Sequence, residues 1–172
     1  QNLSRLSSKA YLQSEGGETP QVDMTDLRQW SDGLICLSGG AEGPVGRLLV
    51  AGQADRARIV LKALDEIFSG RLYVELQRHG LATEAACEEA MIDLAYDMDL
   101  PLVATNDAHF GDPNMYEAHD VLICIAQKQT VSQSDRRRLT TQHYFRSSRE
   151  MRALFADLPE ALDNTLVIAR RC

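Results

Sequence analysis

Asp107 and His109 stand two positions apart in "LVATNDAHFGD", residues 102 to 112, where an apolar triplet runs into a polar turn. Side chains two apart on an extended segment point the same way. A carboxylate and an imidazole so placed could share one cation, the oxygen suiting a harder metal and the ring nitrogen suiting zinc or manganese. Two ligands do not make a catalytic zinc, which takes about three protein ligands and keeps one position open. His79, on the preceding apolar run, is the third candidate. The competing reading is a strand end whose Asp and His cap a turn or hydrogen-bond each other, and residue types alone leave both open. His119 in "EAHDVLICI" and His143 beside Tyr144 and Phe145 read more simply as hydrogen-bonded packing residues. No G-x-S-x-G elbow, P-loop or G-x-G-x-x-G occurs, which sets aside the common hydrolase, NTPase and dinucleotide readings. Cys87 has no evident base partner for nucleophilic work.

The elements that must position these residues follow from hydrophobic spacing. Leu3, Leu6 and Ala10 predict an opening helix, "QSEGGETP" a surface loop, and Thr25 to Trp30 a short helix. "GLICLSGG" reads as a strand buried on both faces. Over residues 54–68, Ile59, Val60, Ala63, Leu64, Ile67 and Phe68 predict one buried helical stripe. "RLYVELQ" is a second strand. Thr83 then caps a helix whose Cys87, Ala90, Met91, Leu94, Ala95 and Met98 share a face, and "LPLVATND" is a third strand. Alternation with short connections favours parallel pairing through right-handed crossovers, hence an α/β fold. Ligands in such sheets gather at the carboxyl ends of strands. Here those ends carry Ser38, Gly39 and Gly40, then Glu75, Gln77 and His79, then Asn106, Asp107 and His109. Beyond residue 113 the pattern is helical: "YEAHDVLICIAQ", a capping box from Ser147 to Glu150, and a last helix admitted by Pro159.

Composition narrows the function classes. A chain of 172 residues with 44% hydrophobic content is about one globular domain. Its apolar runs are a few residues long, against the roughly 20 of a membrane span, so a cytoplasmic protein without membrane contact is expected. Cys36, Cys87, Cys124 and Cys172 lack metal-ribbon or disulfide spacing and are read as reduced thiols, with Cys36 and Cys124 as small hydrophobes. A formal net charge of -7 argues against a surface built to trap nucleic acid. The one basic cluster, Arg136 to Arg138, reads as a solvated loop.

Six segments together, "QNLSRLSSKAYL", "GLICLSGG", "LYVELQRHG", "LPLVATNDAHF", "YEAHDVLICIA" and "HYFRSSREMRALFADLPEALDNTLVIARRC", resemble the PHP (polymerase and histidinol phosphatase) domain at the N-terminus of the bacterial replicative polymerases, the DNA polymerase III alpha subunits. The resemblance implies a partial, distorted (β/α)7 barrel with parallel strands. Residues 1–112 would be its later part, and 113–172 its helical end leading towards the polymerase palm. The family's H-x-H metal motif and G-x-E strand would precede Gln1, and the palm with its magnesium would follow Cys172. Asp107 and His109 match the D-x-H that closes the family's metal cluster. Gly40 stands where metal-binding relatives have the cysteine of "LSGC", and Ser7, Ser8 and Lys9 supply none of the further histidine expected in that helix. Two departures imply a degenerate metal centre, with no cofactor held firmly by this chain. Zinc, manganese or iron is expected only where the full cluster is intact.

The role so implied is a structural and interaction module of a polymerase carrying out DNA-directed DNA synthesis in chromosome replication, this chain alone being inactive. Its expected partners are the remainder of the polymerase chain, the proofreading exonuclease subunit and other replicase subunits, with DNA reached through the whole protein. The alternative is an active metal-dependent phosphoesterase or 3′ to 5′ exonuclease. Open strand edges also predict self-association or a rearranged terminus.

Overall fold

The computed structural model describes residues 1–14 and 19–172. Residues 15–18 of the expected loop "QSEGGETP" lie outside the described residues. Three parallel strands, β1 (Cys36–Leu37), β2 (Leu72–Leu76) and β3 (Leu102–Ala104), pair in chain order, with Cys36 opposite Leu72 and Val74 opposite Leu102. All five residues of β2 are buried, which explains an apolar run without alternation: the central strand of a parallel sheet is covered on both faces. The α/β class with parallel strands is therefore as expected, and the described sheet consists of these three strands.

The helices are α1 (Asn2–Gln13), α2 (Met24–Trp30), α3 (Pro44–Val50), α4 (Ala54–Ile67), α5 (Ala82–Asp97), α6 (Tyr116–Gln127), α7 (Ser148–Leu154) and α8 (Pro159–Arg171). Apolar spacing did not announce α3. Gly39 and Gly40, at φ +88° and +54°, turn the chain sharply after β1, and Pro44 then starts the helix with its preset φ. That turn also cuts β1 to two residues, shorter than "GLICLSGG" suggests.

The α5 face (Cys87, Ala90, Met91, Leu94, Ala95, Met98) packs on the core as expected, whereas the α4 stripe and the start of α5 differ from the expected ones. In α4 Leu64 and Ile67 are buried as expected, as is Phe68 at its end, but the stripe continues through Leu61 and Ala57 and Ile59 is exposed, on a helix that packs chiefly against α3. At α5 the helix begins at Ala82, so Thr83 is already inside it. Its first turn is satisfied instead by the Glu84 carboxylate, which accepts the Leu81 N–H at 3.1 Å. The Ser147–Glu150 capping box forms as read, the Glu150 carboxylate accepting the Ser147 N–H at 2.8 Å.

One core runs through the chain. Leu61, Leu72, Val74, Met91 and Leu102 share it with Phe155, Leu158 and Ala161 of the C-terminal segment. Helix α8 lies against β3, where Asn164 Nδ2 donates to the Leu102 carbonyl at 2.8 Å. None of the four cysteines is paired. No described helix is long and apolar enough to cross a membrane.

Arg136 departs from the solvated-loop reading. Its Nη1 and Nη2 donate to the two carboxylate oxygens of Asp120 on α6, each at 2.6 Å, and its side chain is 2% exposed. A planar fork matches a carboxylate bidentately, and pairing makes burial tolerable. This pair ties the loop after α6 to the helix, and Arg137 and Arg138 remain outside.

Candidate functional site

The carboxyl ends of the three strands are laced together by polar side chains. Glu75, at the end of β2, accepts the Gly39 N–H at 3.0 Å and the Thr105 hydroxyl at 2.5 Å, while its own N–H donates to Ser38 Oγ at 2.9 Å. Gln77 Nε2 donates to Thr105 Oγ1 at 3.2 Å. A buried carboxylate held by several donors serves to fix strand ends. Burial, reinforced by the Glu75 charge, pushes the nearby Cys36 thiol up to about 11, so it stays protonated at neutral pH. Burial likewise raises the Cys87 thiol.

Beyond β3 the chain makes a tight turn, the Ala108 N–H donating to the Asn106 carbonyl at 2.9 Å, before a single bridge at Phe110, and residues 140–146 lie alongside it. The His109 N–H donates to the His143 carbonyl at 2.8 Å, and the Phe145 N–H to the Phe110 carbonyl at 2.8 Å. Asn106 Nδ2 donates to the Tyr144 carbonyl at 2.7 Å. These bonds bring all four histidines of the sequence into one row. His79 and His143 stack with centroids 4.0 Å apart, His109 lies 6.0 Å from His143, and His119 on α6 lies 5.5 Å from His109.

Asp107 and His109 do converge. His109 Nε2 lies 3.0 Å from Asp107 Oδ2, with the carboxylate side chain 56% exposed. His79 does not join them. Its Nδ1 faces Glu84 Oε1 at 2.8 Å and its Nε2 faces Asn106 Oδ1 at 3.1 Å, so neither nitrogen is turned to an ion shared with Asp107. Gly40 contributes no donor atom, and a Cβ there would come within 2.9 Å of Gln77 Oε1 at a backbone φ of +54°. A cysteine at this position would be strained in this backbone and would have to displace the Gln77 side chain. Among the described residues no group of three His, Cys, Asp or Glu side chains is disposed to hold a metal ion. Among the described residues, Asp107 and His109 offer two donors where a catalytic zinc takes about three.

Glu84 and Asn106 are what the sequence reading missed around His79. The Glu84 carboxylate accepts the His79 N–H at 2.7 Å as well as facing its ring. Burial pushes its pKa up, but the hydrogen bonds from His79 and Leu81 outweigh that and hold it below the usual carboxylate value. The available signal was an acid five residues after a histidine at the third position of a helix, which marks a capping acid as readily as a ligand.

His143 gives a pH prediction. Burial, with the neighbouring His79, holds its ring below the ordinary histidine value of 6.5. The unfolded chain therefore binds more protons between the two values, so this contribution to stability is complete above about pH 6.5 and is lost as pH falls towards the folded value. Urea midpoints should be flat through neutral pH and decline below it, and His143→Gln should remove that part of the slope. An unchanged slope in the variant would assign the acid sensitivity to other groups.

Residues 1–79 match the family model described as "PHP domain". Over 171 residues the chain is 53% identical to the "DNA polymerase III subunit alpha" of Caulobacter vibrioides, an overlap of 99% of this chain and 15% of that protein. It is 38% identical over 171 residues to the protein of the same name from Rickettsia bellii, and 41% identical over 173 residues to that of Escherichia coli K12. The chain spans about 15% of the length of these relatives.

Proposed function

Because the chain belongs to the family of bacterial DNA polymerase III alpha subunits and carries PHP-domain sequence over residues 1–79, we propose that it acts as a structural and interaction module of a replicative polymerase, with a degenerate metal centre. The observation that carries this reading is the donor count at the sheet's carboxyl end: Asp107 and His109 face each other, His79 is engaged by Glu84 and Asn106, and Gly40 has nothing to offer. Too few ligands leave an ion neither oriented nor desolvated. The parent protein would carry out DNA-directed DNA synthesis in the cytoplasm, its palm magnesium lying outside this chain. Partners would be the rest of that chain, the proofreading exonuclease subunit and other replicase subunits, with DNA bound by the whole.

Residues 1–112 then supply the later strands of a seven-stranded barrel and 113–172 its helical close. Two features support the barrel. The strands pair in strict chain order, as barrel strands do, and among the described residues β1 pairs on one side only. Along that open edge runs an apolar groove of about 390 Å3 between α1 and β1, lined by Leu6, Ala10, Leu34, Ile35 and Phe68 among others. An unpaired edge beside an apolar groove invites a further strand. Sedimentation should therefore show the 172-residue chain self-associating, whereas a longer chain with the preceding PHP segment should lose this tendency. A clean monomer of the short chain at high concentration would count against the open edge.

The exposed Asp107–His109 pair favours a second reading, an active metal-dependent phosphoesterase or 3′ to 5′ exonuclease completed by residues outside this chain. Elemental analysis of the longer polypeptide separates the two. The structural reading expects well under one zinc, manganese or iron per chain and no nuclease activity, and Asp107→Asn would cost about 1 kcal/mol of stability or less. Near-stoichiometric metal, with a nuclease activity abolished by Asp107→Asn, would overturn it.

A further inference from the structure

A cleft of about 200 Å3 opens between the end of β3, α7 and α8, lined among others by Arg146, Ser148, Met151, Arg152 and Thr165. It includes none of Asp107, His109, His79 or Gly40. Arg146 is 8% exposed, yet its guanidinium is anchored through one nitrogen alone. Nη2 donates to the Gln142 carbonyl at 3.3 Å and to Gln142 Oε1 at 2.5 Å, and its face lies 5.2 Å from the Tyr144 ring. Nε is buried without a partner among the described residues.

Among the described residues neither Arg146 nor Arg152 forms an ion pair. Glu150, whose carboxylate feels the Arg146 charge, gives its oxygens to Ser147 and Tyr144. Of the half-buried arginines, Arg136 is matched by Asp120 and Arg78 by Glu88 and Asp157, while Arg71 donates to the Ser31 and Leu34 carbonyls. A cation nine-tenths buried without a directly paired carboxylate is costly to the fold, and an anion seated beside it reduces that cost. A second arginine and the Ser148 hydroxyl on the same wall supply further donors, and they do so in a chain whose net charge is -7.

We propose that this cleft binds a phosphate group. Guanidinium forks match phosphate oxygens in geometry and charge, and a pocket of this size with two arginines suits one compact phosphate better than a tracked duplex backbone. The site rests on neither the polymerase reading nor the metal reading, so its failure would leave both as they stand.

The test is titration of the chain with inorganic phosphate at low ionic strength, followed by calorimetry and by amide chemical shifts. Saturable one-to-one binding is expected, with shifts centred on residues 146–152. Arg152→Gln, at an exposed position without an ion pair, should weaken it about tenfold, as loss of a charge-assisted hydrogen bond does. Arg137→Gln, in the exposed loop, should leave it unchanged. Arg146→Lys should restore part of the affinity lost in Arg146→Met if charge is what the site offers. Failure to saturate at tens of millimolar phosphate, or equal affinities for Arg152→Gln and Arg137→Gln, would overturn the proposal. A second arm identifies the source of the group. A single-stranded oligonucleotide whose binding needs both its 5′-phosphate and Arg152 assigns the site to a nucleic-acid end, whereas inorganic phosphate bound without the oligonucleotide assigns it to a small molecule.

Discussion

Phe155→Ala should destabilise the chain by about 3–5 kcal/mol, the range for truncating a fully buried aromatic side chain. Phe155 is 0% exposed and sits at the C-terminal end of α7, where the chain turns towards α8. Its ring is covered by the Arg78 guanidinium at 4.5 Å, and Arg78 reaches from just beyond β2 to Glu88 on α5 and to the Leu154 carbonyl and Asp157. The substitution thus leaves a cavity and also removes the surface on which a largely buried arginine rests. Since domains are stable by only about 5–15 kcal/mol, the variant should unfold in mild urea or fail to accumulate. Equilibrium urea unfolding by circular dichroism measures this. A change below about 1 kcal/mol would mean that the cavity collapses at little cost, and that the C-terminal helices are not part of the same cooperative unit as the sheet.

Glu84→Ala is the second large effect, about 2–4 kcal/mol by the cost of orphaning buried donors. The carboxylate accepts from the main-chain N–H groups of His79 and Leu81 and faces the His79 ring. Alanine leaves all three without an acceptor beneath a stacked imidazole pair. Glu84→Gln keeps the shape and one acceptor oxygen, so it should lose clearly less. Because the folded carboxyl sits below its ordinary value of 4.5, its contribution is present above that pH and is lost as pH falls through the folded value. The wild-type and Glu84→Gln curves should therefore converge in acid. Equal losses for both variants at neutral pH would show that charge matters and shape does not, and equal stabilities of wild type and Glu84→Ala would remove the helix-capping role altogether.

Much of the local structure was legible along the chain. Helix α6 coincides with "YEAHDVLICIAQ", the capping box at Ser147 forms with Glu150, and Pro159 opens α8. Each depends on periodicity or on partners within four residues, which a linear reading contains. The Asp107–His109 pair was legible for the same reason, since its two members are only two residues apart.

What failed along the chain had partners far away in sequence. Arg136 read as a solvated charge because Asp120 lies 16 residues back on α6, and only their mutual approach makes burial tolerable. Ile59 looked like core because it is the right kind of residue, but which side of α4 meets the core is a packing outcome. His143 was a bland aromatic neighbour until residues 140–146 paired with the exit of β3 and set it between His79 and His109. By itself, then, the sequence determined the parallel α/β class, most helices, the kinship with polymerase alpha subunits and the carboxylate–imidazole pair. Tertiary structure alone decided that His79 turns to Glu84 and Asn106, that the four histidines form a row, and that Arg146 is buried without an ion pair among the described residues. The physical reason is that burial and hydrogen-bond satisfaction are set by neighbours in space, and which residues become neighbours is decided only when the core closes.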